Sequence, residues 1–401
     1  MKKTIHIFTF FLMAVALASC LDEYKEVFTA NSPVYMTYDE LRAAVKKSAP
    51  RDLKKPGKIY FKDQYIFINE ELKGVHVINN ANPASPQKVA FIEIPGSVDI
   101  AIKNNILYSD SYVDLVALDI SNLDNIREVS RVKDAFPYTV PPTGNNYRMA
   151  QVDNEKGVVI DWEIKKVRQE MEYRYYPIYN FRSGAEKFDA ASYTQSSGGA
   201  APAGSTFGVG GSMARFGLYG DYLYTVDHST LYLFDVKNAA APSSIGKQNV
   251  GWNVETMFIY DNHLFFGTQS GMRIFSLAVA TVPRYVGDFW HITSCDPVVI
   301  SNGYAYITLR GGTTCGSNTN RLDVVKLSAD YKNLSLIASY PLNGPYGLGI
   351  DGDILFVCDG TAGLKVYDVA DKTKIDQHQI ASFPNIKTYD VIPVNGFLFM
   401  I

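Results

Sequence analysis

An all-β fold built from repeated four-stranded units is what this chain of 401 residues predicts, and three observations carry the prediction. The first is a recurring strand. Leu115-Val116-Ala117-Leu118-Asp119-Ile120, Leu231-Tyr232-Leu233-Phe234-Asp235-Val236 and Leu364-Lys365-Val366-Tyr367-Asp368-Val369 are one pattern, with weaker copies at Val75–Asn79, Met272–Ser276 and Leu322–Lys326. The second is its period. The Asp-equivalent position recurs at 79, 119, 235, 276, 326 and 368, in steps of 40, 116, 41, 50 and 42. The third is a shared hairpin turn, at Lys103-Asn104-Asn105, Gly220-Asp221, Asp261-Asn262, Ser301-Asn302-Gly303 and Val394-Asn395-Gly396, each followed by an aromatic or apolar strand. A period of about 40 residues assembled from short strands and Gly/Asn/Asp turns is the signature of a β-propeller blade.

The complete copy runs from Pro345 to Asn385 and justifies each element in order. Tyr346 to Ile350 is a strand, Asp351-Gly352-Asp353 a tight turn, Ile354 to Cys358 a second strand, Leu364 to Val369 a third and Ile380 to Phe383 a fourth. Inner strands read as continuous apolar runs because neighbouring blades cover both of their faces. Units fall at about 58–96, 97–144, 213–252, 253–291, 292–344 and 345–385. Within the 116-residue step, Tyr147 to Val152 and Gly157 to Ile164 read as the first two strands of an irregular blade. The Ser/Gly/Ala/Pro-rich stretch Ser196 to Ser212 reads as a flexible loop, giving an insertion over about 145–212. Tyr389 to Val394 and Phe397 to Ile401 begin a further unit that reads as truncated. The expectation is eight blades, or seven if the irregular stretch is an excursion. Asp39 to Lys47 predicts one short helix, and Val34 to Thr37 an outer strand donated from the N-terminus to close the last blade.

Gly363-Leu364-Lys365-Val366-Tyr367-Asp368-Val369 and Asn302-Gly303-Tyr304-Ala305-Tyr306-Ile307 resemble the motifs of the LVIVD-repeat family of bacterial β-propellers, over about 58–136 and 213–401. The resemblance implies the scaffold. It is nearly silent on activity, since that family is defined by its repeat. Asn79, Ser276 and Lys326 depart from the Asp of the motif, which makes this position a structural strand end rather than a metal ring.

Residues 1–19 read as a signal peptide. Lys2 and Lys3 precede an apolar run from Ile5 to Leu17, too short for a stable membrane span, and Leu17-Ala18-Ser19-Cys20 resembles a bacterial lipobox with Cys20 as the lipidated residue. Asp22 and Glu23 follow, as in the export tags of some surface lipoproteins or simply as a solvated tether, which extends over 20–57. Cleavage removes two lysines and takes the formal charge from −3 to −5. No Lys/Arg run exists to track phosphates, so nucleic acid is excluded as a partner. The membrane is met through the lipid alone, and the expected address is the outer membrane, facing in or out.

No G-x-S-x-G, H-E-x-x-H or phosphate-binding loop is present, and the histidines lack metal spacing. Asp351-Gly352-Asp353 and Asp153-Asn154-Glu155 read as turns rather than calcium loops. No cofactor, metal or catalytic set is expected. The candidate binding residues are those just inside each blade entry, Asp99, Arg215, Glu255, Asp296, Tyr346 and Asp390, which either form a ligand rim or hydrogen-bond neighbouring backbone around a water-filled channel. A second candidate is the aromatic run containing Tyr173, Tyr175 and Tyr176, able to stack on a sugar, anchor a protein or pack a strand. Trp252 and Trp290 occupy equivalent repeat positions, which argues for packing. The functional expectation is a non-catalytic module or scaffold for a glycan or protein. The alternative is a hydrolase or lyase using carboxylates from several blades. Cys358 lies in a strand pattern and reads as core. Cys295 and Cys315 belong to one unit, on the same face of a four-stranded blade, and predict a disulfide worth about 3 kcal/mol in an exported chain.

Overall fold

The computed structural model describes residues 25–170, 176–178, 209–291, 297–312 and 318–401. These divide into two units, one from residues up to 38 together with 138–180, the other from 39–137 and 181 onward. Cys20, Tyr173, Tyr175, Cys295, Asp296 and Cys315 lie outside the described residues. No helix among the described residues is long and apolar enough to cross a membrane.

The larger unit is the repeat made physical. Sheet I contains Pro56–Lys62, Tyr65–Glu70, Gly74–Asn79 and Gln87–Glu93, and sheet II contains Ile100–Lys103, Ile106–Ser111, Asp114–Asp119 and Arg127–Val132. Sheets III to VI begin at Phe216, Val254, Val298 and Leu348 and end at Asn249, Trp290, Pro341 and Phe383, each with four antiparallel strands in sequence order. Sheet VII is the pair Val391–Val394 and Phe397–Met400. The first strand of each sheet lies against the first strand of the next, and that of sheet VII lies against that of sheet I, so the seven inner strands form a closed cycle. Apolar layers fill every seam. Ile59 and Phe61 meet Ile392 and Phe399 where sheet VII meets sheet I, with the Phe61 and Phe399 rings stacked at 4.3 Å. Val391 packs on Cys358, Leu364 and Val366 where sheet VI meets sheet VII, and Cys358 is a fully buried free thiol, as its strand pattern predicts. Burial on both faces is why these strands carry apolar runs without alternation.

The recurring strand-end residue has one job. Asn79 Oδ1 accepts from Ala81 N at 2.9 Å, Asp119 Oδ1 from Ser121 N at 3.0 Å, Asp235 Oδ1 from Lys237 N at 2.8 Å, Ser276 Oγ from Ala278 N at 3.2 Å and Asp368 Oδ1 from Ala370 N at 2.8 Å. Each closes a local turn after the third strand, which any short acceptor side chain can do. That explains why Asn and Ser substitute for Asp in the motif.

Four expectations are corrected. The strand predicted at Val34–Thr37 is part of Lys25–Met36, and it pairs with Val158–Glu170 on one side and Arg148–Met149 on the other, not with sheet VII. The two stretches expected to open an irregular blade are therefore the outer strands of a three-stranded sheet in the smaller unit. A 12-residue strand and a 13-residue strand match over nearly their whole length. That continuous ladder satisfies more backbone than two short blade strands would. The N-terminal strand that does extend a propeller sheet is Lys46–Ser48, added outside Gln87–Glu93 in sheet I. It follows a helix, α1, over Tyr38–Ala43, shorter than predicted. Finally, the end of the Ser/Gly-rich stretch is structured: Val209 and Gly210 pair with Phe61 and Tyr60 on the inner side of sheet I.

Sheets II and III are bolted by Lys103, whose ammonium is buried and donates to Gly220 O at 3.2 Å, Asp221 Oδ1 at 2.9 Å and Val236 O at 3.0 Å. Lys103→Met strands these acceptors and should destabilise the fold by about 3 kcal/mol, whereas Asp235→Ala and Asp368→Ala each lose one local bond and should cost about 1 kcal/mol. Urea unfolding of the three variants checks the ranking.

Candidate functional site

In an up-and-down sheet every inner strand enters the ring from the same face, so the residues at the entries converge around one end of the central channel. Taken around the cycle, the described entries carry Lys58 from sheet I, Asp99 from II, Arg215 from III, Glu255 from IV, Tyr346 from VI and Asp390 from VII. From Asp390 to Glu255 the charges alternate: acid, base, acid, base, acid. Five of the six rim residues named from the sequence are described, and all five stand here. Lys58 was missed because it sits among Lys54, Lys55 and other tether lysines, although its register before Ile59-Tyr60-Phe61 equals that of Asp99 before Ile100-Ala101-Ile102.

Two of the carboxylates are fully committed to holding the ring. Asp99 Oδ2 accepts from the backbone amides of Arg215 at 2.5 Å and Phe216 at 3.1 Å, while its Oδ1 accepts from Ile100 N at 2.8 Å. Asp390 Oδ1 accepts from Ser212 Oγ at 3.1 Å and Val391 N at 3.0 Å, and its Oδ2 from Met213 N at 3.4 Å. Gly211 has no side chain because a Cβ there would run into the Asp390 carboxylate. Both acids are buried, and burial pushes their pKa values up, Asp390 to about 6, against the opposing pull of Lys58. Asp110, missed in the sequence, accepts from Val98 N at 2.7 Å and Asp99 N at 3.1 Å and is pushed up to about 7 by burial. Carboxylates saturated by amides do not serve as a proton-transfer pair.

The cations are placed differently. Burial, then the neighbouring Arg215, lowers Lys58 to about 8. Arg215 Nε donates to Glu255 O at 3.0 Å. Among the described residues neither Lys58 nor Arg215 makes a salt bridge. Beyond them, Arg310 lies over the Tyr346 ring at 3.7 Å, and Tyr346 is tilted against Tyr389 with centroids 5.4 Å apart. The mouth therefore sets two cations among three acids, with aromatic faces beside them.

The channel itself is crossed by chain. After pairing with sheet I, residues 209–214 place Ser212 Oγ 2.9 Å from Leu348 N of sheet VI and Ala214 O 2.8 Å from Met257 N of sheet IV before entering sheet III. Small residues suit a strap threaded among inner strands, which is why composition alone made it look like a free loop. Tyr176, in the smaller unit, donates to Val152 O at 2.9 Å and packs with Val140, Val152 and Val159. It also borders a polar cavity of about 460 Å³ beside Gln151, Asp153, Lys156 and Gln169. Asp153 caps the short turn Asn154–Lys156 by accepting from Glu155 N, so its role is turn chemistry.

Asp390 and Asp110 hold their protons to about 6 and about 7, whereas the unfolded chain releases them near 3.8. Between those values the unfolded state sheds protons that the folded state keeps. The stabilisation is complete below the unfolded value and is lost as pH rises through the folded values. Unfolding free energy should therefore fall by about 1–3 kcal/mol between about pH 4 and about pH 7.5, and Asp110→Asn, which keeps the acceptor without the charge, should flatten the fall. Lys58 titrates above this window. Urea titrations at a series of pH values check it.

No protein-family model matches the chain, and no curated protein matches it. Solved structures do. A protein from Lactobacillus plantarum is similar at 12% identity and a TM-score of 0.52, over 88% of this chain and 89% of that one. A 6-phosphogluconolactonase-like protein from Bacteroides uniformis is similar at 8% identity and a TM-score of 0.52, over 84% and 85%. BamB from Moraxella catarrhalis is similar at 10% identity with a TM-score of 0.46, over 95% and 91%. At these identities the likeness concerns fold alone, and the fold is of the β-propeller type.

Proposed function

We propose that the chain is an exported, lipid-anchored propeller of seven blades that binds an anionic ligand at its channel mouth without catalysis. The count of seven rests on the cycle of seven inner strands and on the pairing of 148–170 with the N-terminal strand. The outer-membrane address is supported by the lipobox-like Leu17–Cys20. The scaffold reading as an LVIVD-type repeat rests on Gly363–Val369 and Asn302–Ile307.

One observation carries the binding assignment. Asp99 and Asp390 are held by backbone amides and the Ser212 hydroxyl, while Lys58 and Arg215, although in the field of the rim acids, make no salt bridge among the described residues. A carboxylate group of a glycan or polypeptide would give the two cations a close hydrogen-bonding anion, and charge-assisted hydrogen bonds are the stronger kind. The same observation disfavours the hydrolase or lyase alternative, which needs two carboxylates released from structural duty.

Oligogalacturonate serves as the acidic probe and the neutral peptide hexaglutamine as the control. Lys58→Met should weaken oligogalacturonate binding about tenfold and Lys58→Arg, which keeps the charge beside Asp99 and Asp390, should largely restore it, with affinities read under conditions where each variant is folded. Equal affinity of the variant, or no preference for the acidic probe, removes the assignment. Cys20→Ser should release the protein from membranes or leave it unprocessed. A mature-sized membrane-bound variant would end the lipid reading.

A further inference from the structure

Trp252 and Trp290 close equivalent connections, from sheet III to sheet IV and from sheet IV to sheet V, and equivalence argued for packing. The structure places them outside: Trp252 is 76% exposed and Trp290 60%. Both connections lead into inner strands, so the two indoles flank sheet IV on the same face as the channel mouth. Trp252 stands three residues before Glu255 of the rim.

The residues between them are ordered for contact. Arg273 Cζ sits 5.7 Å from the Trp290 ring, and its Nη1 donates to Val250 O at 3.3 Å. The guanidinium crosses Gly251, the residue before Trp252, so closely that any Cβ there would collide with it. One cation thus bridges the two tryptophan segments. Asp288 pairs directly across the ladder from Arg273, two residues before Trp290, and Tyr285 lies on the same outer strand with 55% exposure. The backbone is fixed at both ends. Val250 N bonds Ser229 O at 2.9 Å, Gln269 N bonds Asn253 O at 3.1 Å, and His291 N bonds Ser270 O at 3.1 Å.

We propose that Trp252, Arg273, Asp288 and Trp290 form a platform for a neutral oligosaccharide, separate from the channel mouth. A pyranose presents a C–H face the size of an indole, ringed by hydroxyls. Here two exposed indoles alternate with a guanidinium and a carboxylate, which together supply donors and acceptors with no net charge. A protein interface of ordinary size buries about 800 Å² per partner around a core that is more apolar and depleted of charge. The adjoining outer strand of sheet III, Ser243-Ser244-Ile245-Gly246-Lys247-Gln248-Asn249, is nearly all polar and exposed, and offers no such centre. Preorganised rings lose little freedom on binding, which suits a weak, repeated ligand.

The chain has three tryptophans. In the mature full chain carrying Trp162→Phe, fluorescence reports only the two on the platform. Titrations use maltohexaose, cellohexaose, xylohexaose and mannohexaose. At least one should give a saturable change, weakened about tenfold in each of Trp252→Ala and Trp290→Ala with unchanged urea midpoints, and unaltered by Lys58→Met. No saturable response to any of the four up to about 10 mM overturns the proposal. So does affinity that survives both tryptophan substitutions. Loss of binding in Lys58→Met alone would place the sugar at the mouth and overturn the platform while leaving the mouth as a binding site.

Discussion

A buried carboxylate accepting backbone amides at a blade entry is the interaction on which this ring depends. Each inner strand presents one edge to the channel, where no further strand follows and where unpaired N–H groups would be costly. Asp99 meets the amides that start sheet III, and Asp390 those of the strap before it. Each carboxylate accepts in the places where a neighbouring strand would have bonded. The inner edge of sheet I is covered by Val209 and Gly210. Desolvation of these acids is the counterpart, and it explains their raised pKa values without any catalytic role. Perturbed titration in this molecule marks a joint.

The mouth and the platform rest on that rigidity in different ways. Lys58 and Arg215 project from inner strands whose positions the carboxylates fix. The indoles project from connections that follow outer strands, where burial is incomplete and side chains are free to meet solvent. Both belong to one face because an even number of strands per blade returns every connection to the same end.

Much of the architecture was legible because it is periodic. Asp119, Asp235 and Asp368 recur because each closes the same turn, and the entry residues Asp99 and Asp390 recur because each opens the same strand. What repetition cannot reveal is pairing between unique segments. Nothing in Lys25–Met36 points to Val158–Glu170, more than a hundred positions away, since a strand pattern states which face is apolar and not which partner it meets. Equivalence misled at Trp252 and Trp290, because a shared position in the repeat fixes location and direction but not cover. Small residues misled at 209–212, because Gly and Ser serve a flexible linker and a tightly threaded strap equally well.

Residues 138–180 belong to the smaller unit, yet the seam between sheets II and III does not depend on them. Asp99, Lys103 and Tyr108 reach across it to Phe216, Val236 and Ala239 directly. The entropy of closing a flexible loop grows only with the logarithm of its length, about 0.6 kcal/mol for each doubling. A seam secured by its own side chains can therefore accept almost any length of intervening polypeptide. That makes this junction the point where relatives of the scaffold can acquire, enlarge or lose an entire extra unit while the ring keeps its geometry.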